Sequence, residues 1–459
     1  MSDVMDKVVS LCKRKGFIFQ SSEIYGGLNG CWDYGPLGVE LLRNIKEAWW
    51  KAMTYREDIE GIDASILMHS RVWEASGHVE GFNDPLVEDK KTHERFRLDH
   101  LLEENGINPT GMSFEEMSAI LAEKELKSPK GNELTEPRHF NLMFKTHVGP
   151  VEDAASVAYM RPETAQGIFV NFLNVQQAMR QKLPFGIAQI GKSFRNEINT
   201  KNFLFRVREF EQMEMQYFVL PGEDMKWFDY WREQRWRWFT DALGIPEKHL
   251  RWHEHAGAEL AHYATAAFDI QFEFPFGWGE IEGVHNRGQY DLGRHEEFSG
   301  KQLKYFDDQT REKVMPAVVE TAIGATRSAM MCLVGAYAEE EVKGETRTVM
   351  RFHPRIAPLK AAVLPLVKRD GMPDIARKIV EDLGPHFRVF YDEGGAIGRR
   401  YRRMDEVGTP FCLTVDSETL ENDTVTVRER DSMDQDRVKI SDLMANLTKR
   451  MDQWIHHEA

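Results

Sequence analysis

The chain has 459 residues, of which 42% are apolar and 29% are charged, and its formal net charge at pH 7 is −15. This length predicts two or three domains, and the composition is typical of a soluble protein with packed cores. No apolar run approaches the roughly 18 residues that a membrane helix needs. The net charge taken alone argues against a nucleic-acid partner, although a basic stripe can lie on an acidic body.

The cysteines are widely spaced and form no CxxC pair: Cys12, Cys31, Cys332 and Cys412. Their spacing argues against a disulfide framework and a structural zinc site, and it fits a reducing compartment. The N-terminal segment MSDVMDKVVSLCKRKG lacks the apolar core and the small-residue cleavage site of a signal peptide. We therefore expect a cytoplasmic protein without structural zinc.

Hydrophobic spacing predicts a helix over residues 7–15, a loop region rich in glycine and aromatic residues up to residue 38, and a helix over 39–55. Residues 82–157 are polar and are predicted to form a mostly helical insertion. A short strand and a helix are predicted within 159–182, and a tryptophan-rich helix over 220–238. A short helix over 258–267 and strands over 268–273 and 277–284 are predicted to follow.

Residues 186–218 alternate in polarity, which predicts two strands joined by a short polar loop at 199–202. Arg195 and Glu197 would share one face of the first strand, and Arg206, Phe210 and Glu214 one face of the second. A guanidinium group suits polyphosphate because its planar fork is always charged, and a phenyl ring offers a stacking surface. The alternative is a solvated sheet face with cross-strand ion pairs.

Residues 315–338 predict a buried strand, a turn at Gly324 and an apolar helix with Arg327 in its first turn. Residues 339–348 are charged and polar, and they predict a linker. Beyond them β and α segments alternate, which predicts a mixed α/β domain. Its strands are predicted over 361–366, 388–391, 411–416 and 425–430, and its helices over 373–383, 397–407 and 440–455.

The order Phe-Arg-Asn-Glu, loop, Arg-Val-Arg-Glu-Phe resembles motif 2 of the class II aminoacyl-tRNA synthetases. The Gly-x-x-Arg that ends at Arg327, preceded by Glu320, resembles their motif 3. The phrases GGLNGCWDYGPLG and RVWEASGH resemble the motif 1 region of the homodimeric type of glycyl-tRNA synthetase, a subclass IIa family. YMRPETAQGIF and HNRGQYDL resemble further segments of that family, so the resemblance covers almost the whole chain.

The resemblance implies an α+β fold, in which an antiparallel sheet flanked by helices forms a catalytic domain over residues 1–349. The insertion at about 82–157 belongs to it, and a mixed α/β anticodon-binding domain follows over 350–459. The implied reaction is ATP-dependent activation of glycine, then transfer of the glycyl group to the terminal ribose of tRNA(Gly). ATP, Mg²⁺, glycine, the tRNA and a second copy of the chain are the implied partners.

The resemblance also implies a role for each matched residue. ATP would be held by Arg195, Glu197, Arg206, Phe210, Glu320 and Arg327, of which Arg195, Glu320 and Arg327 are the catalytic candidates. Glu320 is the candidate Mg²⁺ ligand, assisted by Glu280, because Mg²⁺ prefers oxygen donors. Glycine would be held by Glu163, Glu214, Arg287 and Ala322. For Glu163 the alternative is an acidic first turn of a helix.

The predicted helix over 397–407 carries the arginines expected to meet the anticodon arm of the tRNA: Arg399, Arg400, Arg402 and Arg403. The alternative is a solvated basic helix face. The chain departs from the family after Glu320, where the family usually reads Pro-Ser and this chain reads Thr321-Ala322. We expect a preference for glycine with a raised KM and measurable activation of alanine, unless Thr321 turns its hydroxyl into the pocket.

Two other functions fit parts of this pattern. A synthetase-like binding protein that has lost its chemistry should lack the ATP-site arginines, yet Arg195, Arg206 and Arg327 are present. A synthetase-fold enzyme that adenylates a different acid, or that makes dinucleoside polyphosphates, is compatible with motifs 2 and 3. The two carboxylates Glu163 and Glu214 argue against such an enzyme.

Overall fold

The computed structural model describes residues 3–153, 156–257, 260 and 264–455. Its first elements, up to the end of the predicted insertion, are α1 (Asp3–Lys15), β1 (Ile18–Gln20), β2 (Trp32–Tyr34), α2 (Pro36–Thr54), β3 (Ile59–Ile62), α3 (Ser70–Ala75), α4 (His78–Gly81), β4 (Asn83–Glu88), β5 (Arg95–Arg97), α5 (Leu98–Glu104), α6 (Phe114–Glu123), β6 (Arg138–Asn141), β7 (Lys145–His147) and β8 (Val157–Tyr159).

The elements that surround the predicted motifs are α7 (Ala165–Phe169), α8 (Phe172–Met179), β9 (Phe185–Phe194), β10 (Glu209–Val219), α9 (Asp224–Arg237), β11 (Leu250–Glu254), β12 (Ala266–Phe274), β13 (Gly277–Gly288), α10 (Tyr290–Ser299), β14 (Tyr305–Asp307), β15 (Glu312–Val314), β16 (Ala317–Gly324) and α11 (Ala325–Ala336). The last elements are β17 (Tyr337–Val342), β18 (Glu345–Met350), β19 (Ala361–Pro365), α12 (Met372–Leu383), β20 (Val389–Tyr391), α13 (Ile397–Val407), β21 (Phe411–Val415), α14 (Thr419–Asn422), β22 (Thr424–Glu429), β23 (Gln435–Lys439) and α15 (Leu443–Asp452).

A seven-stranded sheet in the order β11-β12-β13-β16-β10-β9-β3 forms the centre of the larger part of the chain. Its neighbouring strands are antiparallel except β3 and β9, which run parallel. This is the α+β architecture that the sequence predicted. None of the helices in the described part of the chain is both long and apolar enough to cross a bilayer.

The two faces of this sheet differ because successive strand side chains point to opposite sides. On β10, the odd-numbered Met213, Met215 and Tyr217 are fully buried in the main apolar core. The even-numbered Gln212 and Glu214 point to the other face and line a cavity. One face of the sheet is therefore packed against helices, and the other carries the polar cavity, beyond which Phe218 packs against α7 and α8.

The C-terminal part contains a second sheet, in the order β20-β19-β21-β22-β23. The strand β19 runs parallel to both β20 and β21, whereas the remaining pairs are antiparallel. Helices α12 and α15 cover one face of this sheet, and α13 covers the other. A mixed α/β fold was predicted here, but the edge strand β23 was missed because its QDRVK sequence has little apolar alternation.

The strands of the predicted motif 2 are shorter than the sequence pattern suggested. Arg195, Glu197 and Arg206 lie in the 195–208 connection between β9 and β10 rather than on a sheet face. Backbone groups of this connection form hydrogen bonds with distant parts of the chain. Asn196 N donates to the carbonyl oxygen of residue 142 at 2.7 Å, and the N–H of residue 208 donates to the carbonyl oxygen of residue 30 at 2.8 Å. The two predicted strands exist and pair as β9 and β10, but the predicted strand structure over 195–198 and 203–208 was wrong.

Other local predictions were also wrong. The segment 82–157 is not mostly helical, because β4, β5 and β6 form a three-stranded sheet beside α5 and α6. The glycine-rich region before α2 contains the β1-β2 hairpin. The predicted linker over 339–348 belongs to the β17-β18 hairpin, whose buried Arg347 donates to Asp405 at 2.8 Å. Half of the predicted helix over 258–267 lies outside the described residues, and Ala266 begins β12.

Candidate active site

A cavity of about 290 Å³ opens on the polar face of the seven-stranded sheet. The residues predicted to hold ATP or glycine come from separate strands, turns and helices, and they all line it: Glu163, Arg195, Glu197, Arg206, Phe210, Glu214, Glu280, Arg287, Glu320, Ala322 and Arg327. The sheet brings these segments together because β10 lies between β9 and β16, while β13 pairs with the far edge of β16.

Three carboxylates converge in this cavity. Glu214 and Glu320 come from the adjacent strands β10 and β16, where Glu214 lies opposite Ala322, two residues beyond Glu320. Glu163 comes from the turn before α7. The next residue of that turn, Thr164, donates its hydroxyl to Glu214 Oε2 at 2.6 Å. The strand pairing and the turn therefore assemble a cluster that suits a small cation such as an ammonium group.

Glu320 is buried, and both of its carboxylate oxygens are bonded. Arg287 NH1 donates to Oε1 and Oε2 at 3.1 and 3.2 Å. His285 Nδ1 lies 2.9 Å from Oε1, and Gln216 Nε2 donates to Oε2 at 2.6 Å. Burial opposes ionisation of this carboxyl, but Arg287 and His285 outweigh it and lower the pKa of Glu320 to about 2.

These contacts do not fit the predicted role of Glu320 as a Mg²⁺ ligand. A Mg²⁺ ion would have to approach a carboxylate that already accepts from a guanidinium, and it needs short bonds in near-octahedral geometry. Glu280 is also paired with a guanidinium, since its Oε2 lies 3.2 Å from Arg327 NH1, but its side chain is 48% exposed and a hydrated ion can reach it. We therefore correct the role of Glu320 and place it at the amino-acid end of the cavity.

No group of three or more His, Cys, Asp or Glu side chains that could hold a metal ion occurs among the described residues. The predicted lack of structural zinc stays a prediction.

The carboxylates differ in their proton affinity. Burial, together with the charges of Glu320 and Glu163, raises the pKa of Glu214 to about 8. Burial also opposes ionisation of Glu163, but His78 and Arg287 outweigh it and hold the pKa of Glu163 below its ordinary value. His78 Nε2 lies 3.5 Å from Glu163 Oε2. A bound cation would lower the cost of ionising Glu214, since a nearby opposite charge favours the charged form.

Besides Arg287, three guanidinium groups line the same cavity. The Cζ atom of Arg195 lies 5.3 Å from the ring centroid of Phe210. Arg206 NH1 and Glu197 Oε2 form an ion pair at 3.8 Å, but each atom is buried without a hydrogen-bond partner in the described part of the chain. Such atoms are rare in native proteins and are satisfied by a ligand or water. Arg327 completes the group, and its Nε donates to a backbone carbonyl at 3.0 Å. The set suits a polyphosphate beside a flat ring.

Thr321 and Ala322 replace the family's Pro-Ser, and their side chains point to opposite faces of the sheet because side chains alternate along β16. Ala322 lines the cavity opposite Glu214. Thr321 lies opposite Met215, is fully buried, and has a hydroxyl without a hydrogen-bond partner among the described residues. Thr321 therefore faces the apolar core, and its hydroxyl does not replace the missing serine.

The four arginines of α13 have different environments. Arg400 is 2% exposed and donates to the backbone carbonyls of residues 365 and 366 at 2.6 and 3.2 Å. A buried side chain with these contacts cannot face a tRNA phosphate, so the prediction for Arg400 is corrected. Arg402 and Arg403 are partly exposed, and each forms an ion pair within the same part of the chain. Arg399 is exposed.

The sequence analysis assigned no role to three residues beside the carboxylates: Gln216, His285 and His78. Gln216 shares the strand face of Glu214, so the alternation of β10 was a usable signal. His285 precedes the matched Asn286 and Arg287, and His78 ends the RVWEASGH phrase. Their contacts depend on pairing between distant segments, which a single sequence does not display.

Two family models match the chain: "tRNA synthetase class II core domain (G, H, P, S and T)" over residues 145–337 and "Anticodon binding domain" over residues 360–450. The chain is 57% identical over 450 residues to the glycine–tRNA ligase of Treponema denticola, with 96% of each chain covered. It is 54% identical over 444 residues to that of Borreliella burgdorferi strain B31, again with 96% of each covered. It is 51% identical over 461 residues to that of Geobacillus thermodenitrificans, with 98% of each covered. The chain therefore belongs to the glycine–tRNA ligase family of class II aminoacyl-tRNA synthetases.

Proposed function

We propose that this chain activates glycine with ATP and then transfers the glycyl group to the terminal ribose of tRNA(Gly). One observation carries the proposal: a buried carboxylate cluster and the guanidinium groups of Arg195, Arg206 and Arg327 line a single cavity. The carboxylates suit the ammonium group of a small amino acid, and the guanidinium groups suit a polyphosphate. Membership of the glycine–tRNA ligase family supports the same reaction.

In the first step, a carboxylate oxygen of glycine bonds to the α-phosphorus of ATP, and the bond to the bridging oxygen breaks so that pyrophosphate leaves. The nucleophile is already anionic, so the step needs alignment and charge neutralisation rather than a strong base. Arg195 is proposed to hold the α-phosphate, with Arg206 and Arg327 on the remaining phosphates or the base. Phe210 would stack on adenine, and Glu197 would accept from its amino group.

In the second step, a ribose hydroxyl of the tRNA bonds to the carbonyl carbon of the adenylate, AMP leaves and the hydroxyl proton is lost. Glu163 and Glu214 are proposed to hold the ammonium group through both steps. Arg287 is placed to act near the glycine carboxylate and also fixes Glu320, to which it donates. Ala322 would form the wall beside the α-carbon of glycine.

ATP enters such a site with Mg²⁺, which neutralises phosphate charge when bound. Glu280 is the residue we propose to hold the ion, since its side chain is half exposed in the cavity. No role is assigned to Glu320 in metal binding.

We propose a catalytic domain over 1–349, with an insertion at about 82–157, and an anticodon-binding domain over 350–459. The two matched family segments support this division.

We also propose a homodimer, supported by exposed apolar residues in the motif 1 region: Ile24 (89%), Tyr25 (87%) and Leu28 (57%). Exposed apolar patches often mark interfaces. Ile24→Asp should raise the dimer dissociation constant in sedimentation, whereas Ile455→Asp, at an exposed C-terminal site, should not; equal dissociation in the two variants would contradict the assignment.

The cytoplasmic location stays a prediction, supported by the four free cysteines; recovery in a membrane or exported fraction would contradict it.

ATP–pyrophosphate exchange tests the proposed reaction. The purified chain should exchange pyrophosphate with glycine far faster than with the other amino acids, with and without tRNA, and should charge tRNA(Gly). Exchange with another amino acid instead of glycine would replace the substrate assignment. Absence of exchange with every amino acid would favour a synthetase-like binding protein that has lost its chemistry. Dinucleoside polyphosphate as the sole product would favour a synthetase-fold enzyme that makes these compounds.

A further inference from the structure

Phe82 contacts the guanidinium group of Arg195. It is the first residue after α4 and the first residue of the predicted insertion. Arg195 Cζ lies 5.4 Å from the ring centroid of Phe82 and 5.3 Å from that of Phe210. Arg195 Nε also donates to the carbonyl oxygen of Pro162 at 3.2 Å. The side chain is therefore fixed by two aromatic rings and one hydrogen bond, and Phe82 is the ring that none of the motifs contains.

The backbone of Phe82 is tied to the same segment as its ring. The carbonyl oxygen of Phe82 accepts from Leu142 N at 3.0 Å, and the carbonyl oxygen of Leu142 accepts from Asn196 N at 2.7 Å. Asn196 directly follows Arg195 in the chain. The ring of Phe82 also packs 5.3 Å from that of His78, the residue that contacts Glu163. The insertion residues Phe82 and Leu142 therefore hold both the guanidinium group of Arg195 and the backbone next to it.

We propose that Phe82 is a positioning residue that fixes the guanidinium plane of Arg195 for its contact with the α-phosphate. This inference rests on the proposed function of the cavity. An arginine side chain has several rotatable bonds, and ordering it costs conformational entropy. A phenyl face attracts a cation held above it, whereas an aliphatic side chain of similar size does not. The phenyl face of Phe82 therefore holds the guanidinium plane of Arg195 in one orientation before ATP binds.

Phe82→Leu and Phe82→Tyr test the proposal in ATP–pyrophosphate exchange, with Phe96→Leu as the matched control. Phe96 is a half-buried phenylalanine that packs on another apolar cluster within the same segment. Phe82→Leu should lower kcat/KM for ATP by roughly 2–30-fold, the range that a cation–π contact supports, and leave the KM for glycine unchanged. Phe82→Tyr should retain nearly native values, and so should Phe96→Leu. Equal activity of Phe82→Leu and the native chain overturns the inference.

A double-mutant cycle separates positioning from general packing. The probe is a non-hydrolysable glycyl sulfamoyl-adenosine, whose affinity is measured by calorimetry so that no turnover is needed. Phe82→Leu should weaken binding in the native background and add almost nothing in the Arg195→Gln background. An equal loss in both backgrounds overturns the inference, because Phe82 would then act without Arg195. A native chain that neither exchanges pyrophosphate nor binds the probe would instead refute the proposed function itself.

Discussion

The hydroxyl of Thr164 donates a hydrogen bond of 2.6 Å to Glu214 Oε2. Burial and the charges of Glu320 and Glu163 raise the pKa of Glu214 to about 8, and the Thr164 hydroxyl opposes that rise. An ammonium group needs the ionised carboxylate, so binding of glycine below about pH 8 releases a proton. We expect the KM for glycine to increase as the pH falls below 8, by at most about tenfold per unit.

The measurement is the KM for glycine in pyrophosphate exchange between pH 6 and 8.5. Thr164→Val removes the hydroxyl at nearly constant volume, so the break in the profile should move to higher pH. A native profile without a break in this range, or a break that Thr164→Val leaves in place, would contradict the assignment of Glu214.

The raised pKa of Glu214 also predicts a pH-dependent stability. Because the folded-state pKa lies above the value of about 4.3 in unfolded chains, the folded protein retains a proton that the unfolded one loses. The contribution of Glu214 to stability is therefore present below about pH 4.3 and is lost as the pH rises toward 8. Glu214→Gln removes this titration, so its Tm should exceed the native Tm at pH 8 by more than at pH 5. A pH-independent difference in Tm would refute this account.

Arg195→Lys tests the phosphate contact. Lysine keeps the charge but lacks the planar fork with two parallel donors. Pyrophosphate exchange should fall by roughly 10² or more, the scale for loss of one preorganised donor in a transition state. The thermal stability should change little, because lysine keeps a positive charge between the rings of Phe82 and Phe210. Nearly native exchange in this variant would remove Arg195 from the catalytic set.

Ala322→Ser tests the wall of the amino-acid pocket. The serine hydroxyl would enter the cavity beside Glu214 and add one neutral hydrogen bond to the substrate. We expect a KM for glycine lowered by roughly 2–10-fold and a reduced rate of alanine activation. Thr321→Val is the matched control, and it should leave both parameters unchanged because Thr321 faces the core. Loss of glycine activation in Thr321→Val would place its hydroxyl in the pocket after all.

The arginines of α13 should separate into two classes. Replacing Arg399 and Arg402 by alanine should weaken tRNA binding and flatten its salt dependence, while tRNA-independent exchange persists. Arg400→Leu should instead lower stability by about 1–3 kcal/mol, because it leaves buried carbonyl groups without donors. Chemical denaturation and a tRNA-binding titration measure the two effects. If Arg399 and Arg402 are simply a solvated face, their double variant will bind tRNA as the native chain does.

Local patterns determined much of the site. The alternation of β10 placed Phe210 and Glu214 on one face, and both line the cavity. The strand, glycine turn and helix that present Arg327 were predicted within two residues of their observed bounds. These features depend on side-chain periodicity and turn chemistry within a few residues, and a single sequence records both.

Tertiary structure decided the rest. Arg195 lies outside its predicted strand, and the next residue, Asn196, forms a backbone hydrogen bond with a distant segment instead of with β10. Glu320 lost its predicted metal role because Arg287 and His285 reach it from β13. Arg400 is buried and donates hydrogen bonds to three backbone carbonyl oxygens instead of facing solvent. Each outcome depends on which charged or polar groups meet across the fold. The sequence specifies those groups, but their pairing is fixed only when the sheets and loops pack.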